Sequence, residues 1–310
     1  MLKFVKLLIA IVLFSIFSPI HYLEANPPTH IQFVKNKKNN KKKNKPSFEK
    51  TKYELTLCCI SRDEAEYLPE WIEFHINQGI EHIYLYDNLT KRDLQEVLRA
   101  YVEKGLIDIV PWPYEHHDDP SWANITAYKN YLHLYGKETE WCAFIDTDEF
   151  LFCPDGKNLK EFLRSYKRYQ EVMVCWIMYG TGGVWEAPKG KLIQSLFYRA
   201  PDHFHLAMKP IVKTRDVVNV ASKHYFDVRD SSKVVTENFQ RLNFVDGGYC
   251  PKVQSVDKIR INHYAFRDGK FFEEVKIPRY QRRGISRIDA LGFEALMNVV
   301  YDDSILKCVH

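Results

Sequence analysis

The sequence predicts an α/β fold, a doubly wound and mostly parallel sheet in a single domain. Short apolar runs alternate with amphipathic stretches from Tyr53 to Ile145. Glycines stand where two of the amphipathic stretches stop, at Gly79 and Gly105. An acidic stretch, Asp146-Thr147-Asp148-Glu149-Phe150, follows the apolar run Trp141-Cys142-Ala143-Phe144-Ile145. Carboxylates thus stand at the carboxyl end of a buried strand, where open α/β sheets bind their ligands.

The elements follow in order. Tyr53 to Ser61 reads as the first strand, and Arg62-Asp63-Glu64-Ala65-Glu66 as the polar turn at its end. Pro69 opens a helix whose apolar side carries Leu68, Trp71, Ile72, Phe74 and His75. Ile80 to Tyr86 is the second strand, ending in Asp87-Asn88. Thr90 is the expected cap of the next helix, with Leu94, Val97, Leu98 and Tyr101 inward. Leu106 to Val110 forms the third strand. A loop with His116-His117-Asp118-Asp119 then leads to a helix over 122–135 and the strand before Asp146. A short helix is expected over 159–166 and a strand over 172–178. Beyond Gly180, Gly182 and Gly183 the pattern turns irregular, with short strands at 209–214, 217–221 and 258–263, and a helix near 271–275.

The amino terminus reads differently. Met1 to Lys6 is basic, Leu7 to Ile20 is largely apolar, and Ala25 suits a cleavage site. Residues 1–25 are therefore expected to be a signal peptide or a signal anchor. Residues 26–52, rich in Lys and Asn, lack the apolar surface to fold and are expected to be a disordered linker. The globular domain is expected over 53–300. The secretory pathway or cell envelope is the expected location, with membrane association through the N-terminus. The alternative is the cytoplasmic face of a membrane, because a Lys cluster after an uncleaved apolar segment favours that side.

Composition excludes one class. Residues 1–52 hold eleven Lys against two Glu, so the other 258 residues carry −5 of the chain's formal +4. A mildly acidic folded part does not suit nucleic acid. Seven Cys without a C-x-x-C pair argue against structural zinc. A disulfide among Cys153, Cys250 and Cys308 stays open for an exported protein.

Two carboxylates one residue apart would share a face if the chain stayed extended, and would then repel each other. As hard oxygen ligands they suit Mg²⁺ or Mn²⁺, which commonly clamp a diphosphate. The rival for a lone D-x-D is an acidic turn.

Several separated stretches resemble one family, glycosyltransferase family 92. The opening Arg62 to Trp71, with His75 and Gly79, is similar to its K-N-E-x-x-Y-L-x-E-W-x-x-x-H-x-x-x-G start. Ile83 to Asn88 resembles its Y-x-Y-D-N, Asp146 to Phe150 its D-x-D-E-F, Tyr179 to Gly183 its F-G-S-S-G loop, and Asn262-His263-Tyr264 its N-H-Y. Arg62-Asp63 departs from the usual Lys-Asn, and Asn124 stands where Gln is common. The resemblance covers roughly residues 54–285. It implies a GT-A fold, a metal-dependent nucleotide-sugar donor such as a UDP-sugar, and inverting transfer of a hexose, with galactose one candidate, to a glycan hydroxyl.

The same resemblance distributes the roles. Asp148 becomes a direct metal ligand, Asp146 a ligand that also holds ribose, and His263 a third ligand acceptable to Mn²⁺. The bland alternative for His263 is a packed, hydrogen-bonded histidine. Asp87 would accept from uracil or ribose, or else be a turn Asp. Arg62 and Glu64 would line the base pocket, or form a solvated surface pair. An inverting transfer needs a general base, for which Glu186 and then Asp227 are candidates; each also reads as a surface carboxylate. Arg279, Arg282 and Arg283 would touch diphosphate or simply end a basic helix. Two other classes fit less well. A non-catalytic carbohydrate-binding protein would not need Asp146, Asp148 and His263 together. A nucleotidyltransferase would want a glycine-rich phosphate loop after the first strand.

Overall fold

The structure is a computed structural model and describes residues 51–114, 121–202, 204, 207–242 and 255–309. The expected signal segment, nearly all of the linker, the His116–Asp119 cluster and Cys250 lie outside the described residues. No helix among the described residues is long and apolar enough to cross a membrane.

The first half follows the sequence reading closely. β1 (Tyr53–Ser61), β2 (His82–Asp87), β3 (Ile107–Pro111) and β4 (Thr139–Phe144) pair in parallel, in the spatial order β3-β2-β1-β4. All are rich in apolar residues, and the middle of β1 is buried without alternation, as a strand covered on both faces requires. The winding runs outward from β1 to β3 and then returns to the other side of β1 with β4. The ends of β1 and β4 therefore flank a topological switch point, the place where such sheets leave a crevice.

Helix α1 (Leu68–Asn77) explains two residues of the opening motif. The Trp71 indole donates to the Glu149 carbonyl at 2.7 Å. His75 donates through Nδ1 to the Trp71 carbonyl at 2.8 Å, and its Nε2 accepts from the Leu151 amide at 3.1 Å. Burial pushes His75 down to about 3, so the neutral ring needed for that pair of bonds is the stable one. Both side chains thus anchor β5 (Glu149–Phe152), the strand directly after the acidic stretch. Gly79, at φ 98°, ends the helix where a Cβ would strike the Asn158 side chain at 2.4 Å.

Two expectations shift. The helix after β2 is two short pieces, α2 (Leu94–Val97) and α3 (Arg99–Glu103), and its cap is Asp93. Thr90 instead donates its amide to Asp87 in the turn. The strand β5 was not expected at all. Helices α4 (Ser121–Leu134) and α5 (Leu159–Leu163) and strand β6 (Glu171–Met178) stand where the sequence placed them, to within a few residues.

The second half extends the sheet. β7 (Tyr198–Arg199), β8 (Met208–Lys213), β9 (Val217–Asn219), β10 (Asp227–Val228), β11 (Val234–Thr236), β12 (Arg260–His263) and β13 (Val300–Tyr301) follow. The large sheet continues β4-β8-β6-β12-β5, with β11 paired to β6. Within it only β8 and β5 run against the rest, so the sheet is mostly parallel. β9–β10 and β7–β13 form small separate ribbons. Short helices α6 (Gly269–Phe271), α7 (Ile277–Arg282) and α8 (Arg287–Ala295), with a π turn over 272–276, complete the carboxyl-terminal part. Cys153 and Cys308 are buried thiols, with the Cys308 Sγ donating to the Cys153 carbonyl at 3.5 Å.

Glu171 is buried at the start of β6, and burial pushes its carboxyl up to about 8. One oxygen accepts from the Phe226 amide at 3.1 Å; the other has no hydrogen-bond partner among the described residues. A folded-state value above the unfolded one means that the native state holds a proton that the unfolded chain releases. Stability therefore falls as pH rises from about 4.5 towards 8. Glu171→Gln should remove this slope, with little effect at pH 5 and a gain on the order of 3 kcal/mol at pH 8, read by denaturant unfolding at both values. Equal stability differences at the two pH values would contradict the buried protonated carboxyl.

Candidate active site

The acidic stretch does not stay extended. After Phe144 the chain turns, with the Glu149 amide donating to the Asp146 carbonyl at 3.1 Å and the Glu149 carboxylate accepting from the Asp146 amide at 2.8 Å. The extended chain on which the shared face was conditional is therefore absent, and each carboxylate has partners of its own.

Asp146 turns to lysines. Its Oδ2 lies 2.8 Å from Lys209 Nζ and 4.0 Å from Lys223 Nζ, and its Oδ1 accepts from Asn124 at 3.3 Å. Lys209, fully buried on β8, also lies 3.6 Å from Glu149. Burial works against its charge, but Asp146 and Glu149 outweigh that and hold it above the ordinary lysine value. Burial likewise opposes the Asp146 charge and is outweighed by Lys209 and Lys223, leaving its carboxyl well below the usual range. Glu149 is the weaker partner, and burial pushes it up to about 7 despite Lys209.

Asp148 has a histidine partner. Its Oδ1 lies 3.3 Å from His263 Nε2, and its carbonyl accepts from the Tyr264 amide at 2.8 Å. β12 pairs with β5 so that His263 stands opposite Glu149, which brings the late N-H-Y motif against the acidic turn. Both side chains remain partly open to solvent, Asp148 by 17% and His263 by 12%. Desolvation would raise the Asp148 carboxyl, but His263, Lys276 and Arg267 hold it well below the usual carboxylate range. The Trp176 ring lies 4.4 Å from the His263 ring.

A third layer fixes the turn from outside. Glu64 accepts from the Thr147 hydroxyl and pairs with Arg267 at 2.9 Å. Arg267 is itself buried, with its guanidinium 3.6 Å from the Tyr67 ring centre. Glu64, expected in a base pocket, is thus engaged in holding the residue between the two aspartates. Lys276, in the π turn, faces Asp148, and burial lowers it to about 8.

The other expected residues are placed as follows. Arg62 is exposed on the turn after β1. Asp87 ends β2 and caps its own turn through the Thr90 amide at 3.1 Å. Glu186 is exposed and pairs with Lys270 at 2.8 Å. Asp227, on the β9–β10 ribbon, accepts from Asn219 at 3.1 Å. Arg282 and Arg283 are exposed, and Arg279 is half-buried. Sequence reasoning missed Lys209, Lys276, Glu149 and Arg267. The signal available for Lys209 was its place in the apolar run Met208-Lys209-Pro210-Ile211-Val212, where a central lysine needs a buried counter-charge.

No group of three His, Cys, Asp or Glu side chains gathers to hold a metal among the described residues. Asp148 and His263 bring two donor atoms close together. Cis ligands of a small octahedral cation, at roughly 2.1 Å each, lie about 3 Å apart. The observed 3.3 Å fits such a pair. Small hard cations usually complete their shell with substrate phosphates and water rather than with an all-protein cage. The mixed oxygen and imidazole pair suits Mn²⁺ better than Mg²⁺.

The site is thus an acidic turn beyond β4 with the histidine end of β12 beside it, on a mostly parallel sheet. The sequence model of glycosyltransferase family 92 matches residues 53–270, most of the chain, and the chain belongs to that family. A family 92 protein of Ricinus communis is 25% identical over 229 residues, 72% of this chain and 37% of its own. One from Oryza sativa subsp. japonica is 26% identical over 191 residues, 59% of this chain and 31% of its own. The Arabidopsis thaliana galactan beta-1,4-galactosyltransferase GALS3 is 26% identical over 155 residues, 48% of this chain and 29% of its own. The chain thus spans well under half the length of the curated relatives it matches. Among solved structures, S. aureus TarS in complex with UDP overlaps 52% of this chain and 47% of its own, at 15% identity and a TM-score of 0.35. That overlap is too loose to compare sites.

Proposed function

We propose that this chain is a metal-assisted glycosyltransferase that moves a hexose from a nucleoside-diphosphate donor, a UDP-sugar in the first instance, to a glycan hydroxyl. The observation that carries this reading is the Asp148–His263 pair at 3.3 Å, partly open to solvent at the sheet's switch point. A Mn²⁺ or Mg²⁺ ion held by these two side chains would neutralise the charge that develops on the departing diphosphate. The protein's own groups do the rest. Lys276 and Arg267 add positive charge beside Asp148, where the phosphates would lie. Asp146, pinned by Lys209, would hold the ribose.

Transfer then forms a bond from the acceptor oxygen to the anomeric carbon. The bond from that carbon to the phosphate oxygen breaks, and the nucleoside diphosphate leaves with the electron pair. The acceptor proton passes to a base. The surface pairing of Glu186 with Lys270 and the ribbon position of Asp227 give neither residue support for that role. A single displacement of this kind inverts the anomeric centre. The basic and apolar start of the chain supports export to the secretory pathway or cell envelope as part of this proposal.

The test is a screen of UDP- and GDP-hexoses with the full chain, reading nucleoside-diphosphate release with and without Mn²⁺. Release that needs both a UDP-hexose and the cation is expected. Release of pyrophosphate from a sugar phosphate and a nucleoside triphosphate would assign a nucleotidyltransferase instead. Binding of a nucleotide sugar or oligosaccharide without turnover would assign a non-catalytic binder.

A further inference from the structure

The acidic turn carries a third side chain that the Asp148–His263 pair does not use. Thr147 stands between the two aspartates and is only 4% exposed. Its hydroxyl donates to Oε2 of Glu64, in the turn after β1. That turn is closed on itself, the Tyr67 amide donating to the Glu64 carbonyl at 3.0 Å. The same Glu64 oxygen lies 2.9 Å from the Arg267 guanidinium. One carboxylate thus ties together three stretches that are far apart in the sequence.

Arg267 is held in place against a backbone cost. Its φ is 52°, a left-handed conformation that a non-glycine residue keeps only where its surroundings impose it. The surroundings are on hand. The Arg267 amide donates to the Tyr264 carbonyl at 3.0 Å. Its guanidinium lies 3.6 Å from the Tyr67 ring centre and 5.1 Å from that of Phe271, and it is buried, so it needs the Glu64 charge. Tyr264, which begins this small turn, donates its own amide to the Asp148 carbonyl at 2.8 Å. The segment after His263 therefore grips the acidic turn twice, at the Asp148 backbone directly and at Thr147 through Glu64.

This grip bears on the cation pair. The Asp148 carboxylate meets His263 from a neighbouring strand end, and a donor pair of this kind binds well only if both side chains are held at the right angle. A short turn fixed at one backbone atom can still rock about its peptide planes. Fixing its middle side chain removes that motion. We propose that Glu64 and Thr147 are positioning residues for the cation site. Arg267 fixes Glu64, Glu64 fixes Thr147, and Thr147 sets the angle at which Asp148 meets His263. The assignment rests on the glycosyltransferase reading above, and it gives the turn after β1 a duty other than recognising a base. A Glu64 that touched the base would contribute to nucleotide binding with or without a cation. A Glu64 that positions the acidic turn contributes only to the increment that the cation adds. A brace serving the fold alone would change the melting temperature and leave that increment intact.

The test compares the wild-type full chain with Thr147→Val, Thr147→Ser and Glu64→Ala, by calorimetric titration of uridine diphosphate in Mn²⁺ and in EDTA, alongside melting curves. In EDTA all four should bind within about twofold of one another. The gain from Mn²⁺ should be at least tenfold in the wild type, fall to threefold or less in Thr147→Val and Glu64→Ala, and return to near the wild-type gain in Thr147→Ser, which keeps the hydroxyl. Glu64→Ala leaves the buried Arg267 charge unpaired and should melt earlier. Thr147→Val, which exchanges a hydroxyl for a methyl group, therefore carries the decision. A full Mn²⁺ gain in Thr147→Val would overturn the positioning role, and so would a loss in Glu64→Ala that is as large in EDTA as in Mn²⁺. The two readings fail separately. Wild-type binding that ignores Mn²⁺ removes the cation reading itself, whereas a wild-type response with an undiminished response in Thr147→Val removes the positioning role alone.

Discussion

Asp148→Asn should reduce sugar transfer by at least about 100-fold while leaving a folded protein. The loss follows from removing the charged member of the Asp148–His263 pair, because a cation's stabilisation of a leaving diphosphate amounts to several kcal/mol and each 1.36 kcal/mol is tenfold in rate. The stability effect has a definite sign. Asp146 and Asp148 repel each other, and relief of that repulsion alone would raise the melting temperature. Around Asp148 the repulsion is outweighed by His263, Lys276 and Arg267. Its depressed carboxyl contributes stability that is full at neutral pH and lost in acid, below the ordinary carboxylate value. Asp148→Asn should therefore cost on the order of 2 kcal/mol at pH 7, even with a chelator present. His263→Ala should show a smaller version of the catalytic loss. Near wild-type transfer by Asp148→Asn would reduce the D-x-D to a structural turn.

Lys209→Ala should be among the most damaging single changes to the fold. Lys209 is fully buried and lies between Asp146 and Glu149, at 2.8 and 3.6 Å. Breaking a buried ion pair by removing one partner typically costs about 3–5 kcal/mol, because the remaining charge is left uncompensated. For a domain of this size that corresponds to a fall in melting temperature on the order of 10 °C. Glu149→Gln added to Lys209→Ala should recover part of the loss, since it removes one stranded carboxylate. A melting curve of Lys209→Ala within a degree or two of wild type would show that water or a rearranged side chain replaces the lysine.

These two residues also mark where sequence reading succeeds and where it stops. The first four strands were legible because each is a short apolar run, with Gly79 and Gly105 ending the helices before β2 and β3 and an acidic turn following β4. The pairing of Asp148 with His263 was legible only through the resemblance, since more than a hundred residues separate them and no local pattern links them. Period-two reasoning from Asp146 to Asp148 assumes an extended chain, which the structure does not have there. The Glu149 carboxylate, by accepting from the Asp146 amide, favours a turn instead. The four-residue β5 was too short to stand out, and its place is fixed by Trp71 and His75, two residues on a distant helix. Lys276 carried no signal, because its lowered basicity arises from tertiary burial alone.

The central claim is that Asp148 and His263 hold a cation together with the phosphates of a nucleotide donor. Calorimetric titration of uridine diphosphate into the wild-type chain and into Asp148→Asn, with Mn²⁺ and with EDTA, measures this directly. Mn²⁺ should tighten nucleotide binding at least tenfold in the wild type, and Asp148→Asn should bind equally weakly under both conditions. Tight binding that ignores Mn²⁺, or an equal response to Mn²⁺ in Asp148→Asn, would contradict it.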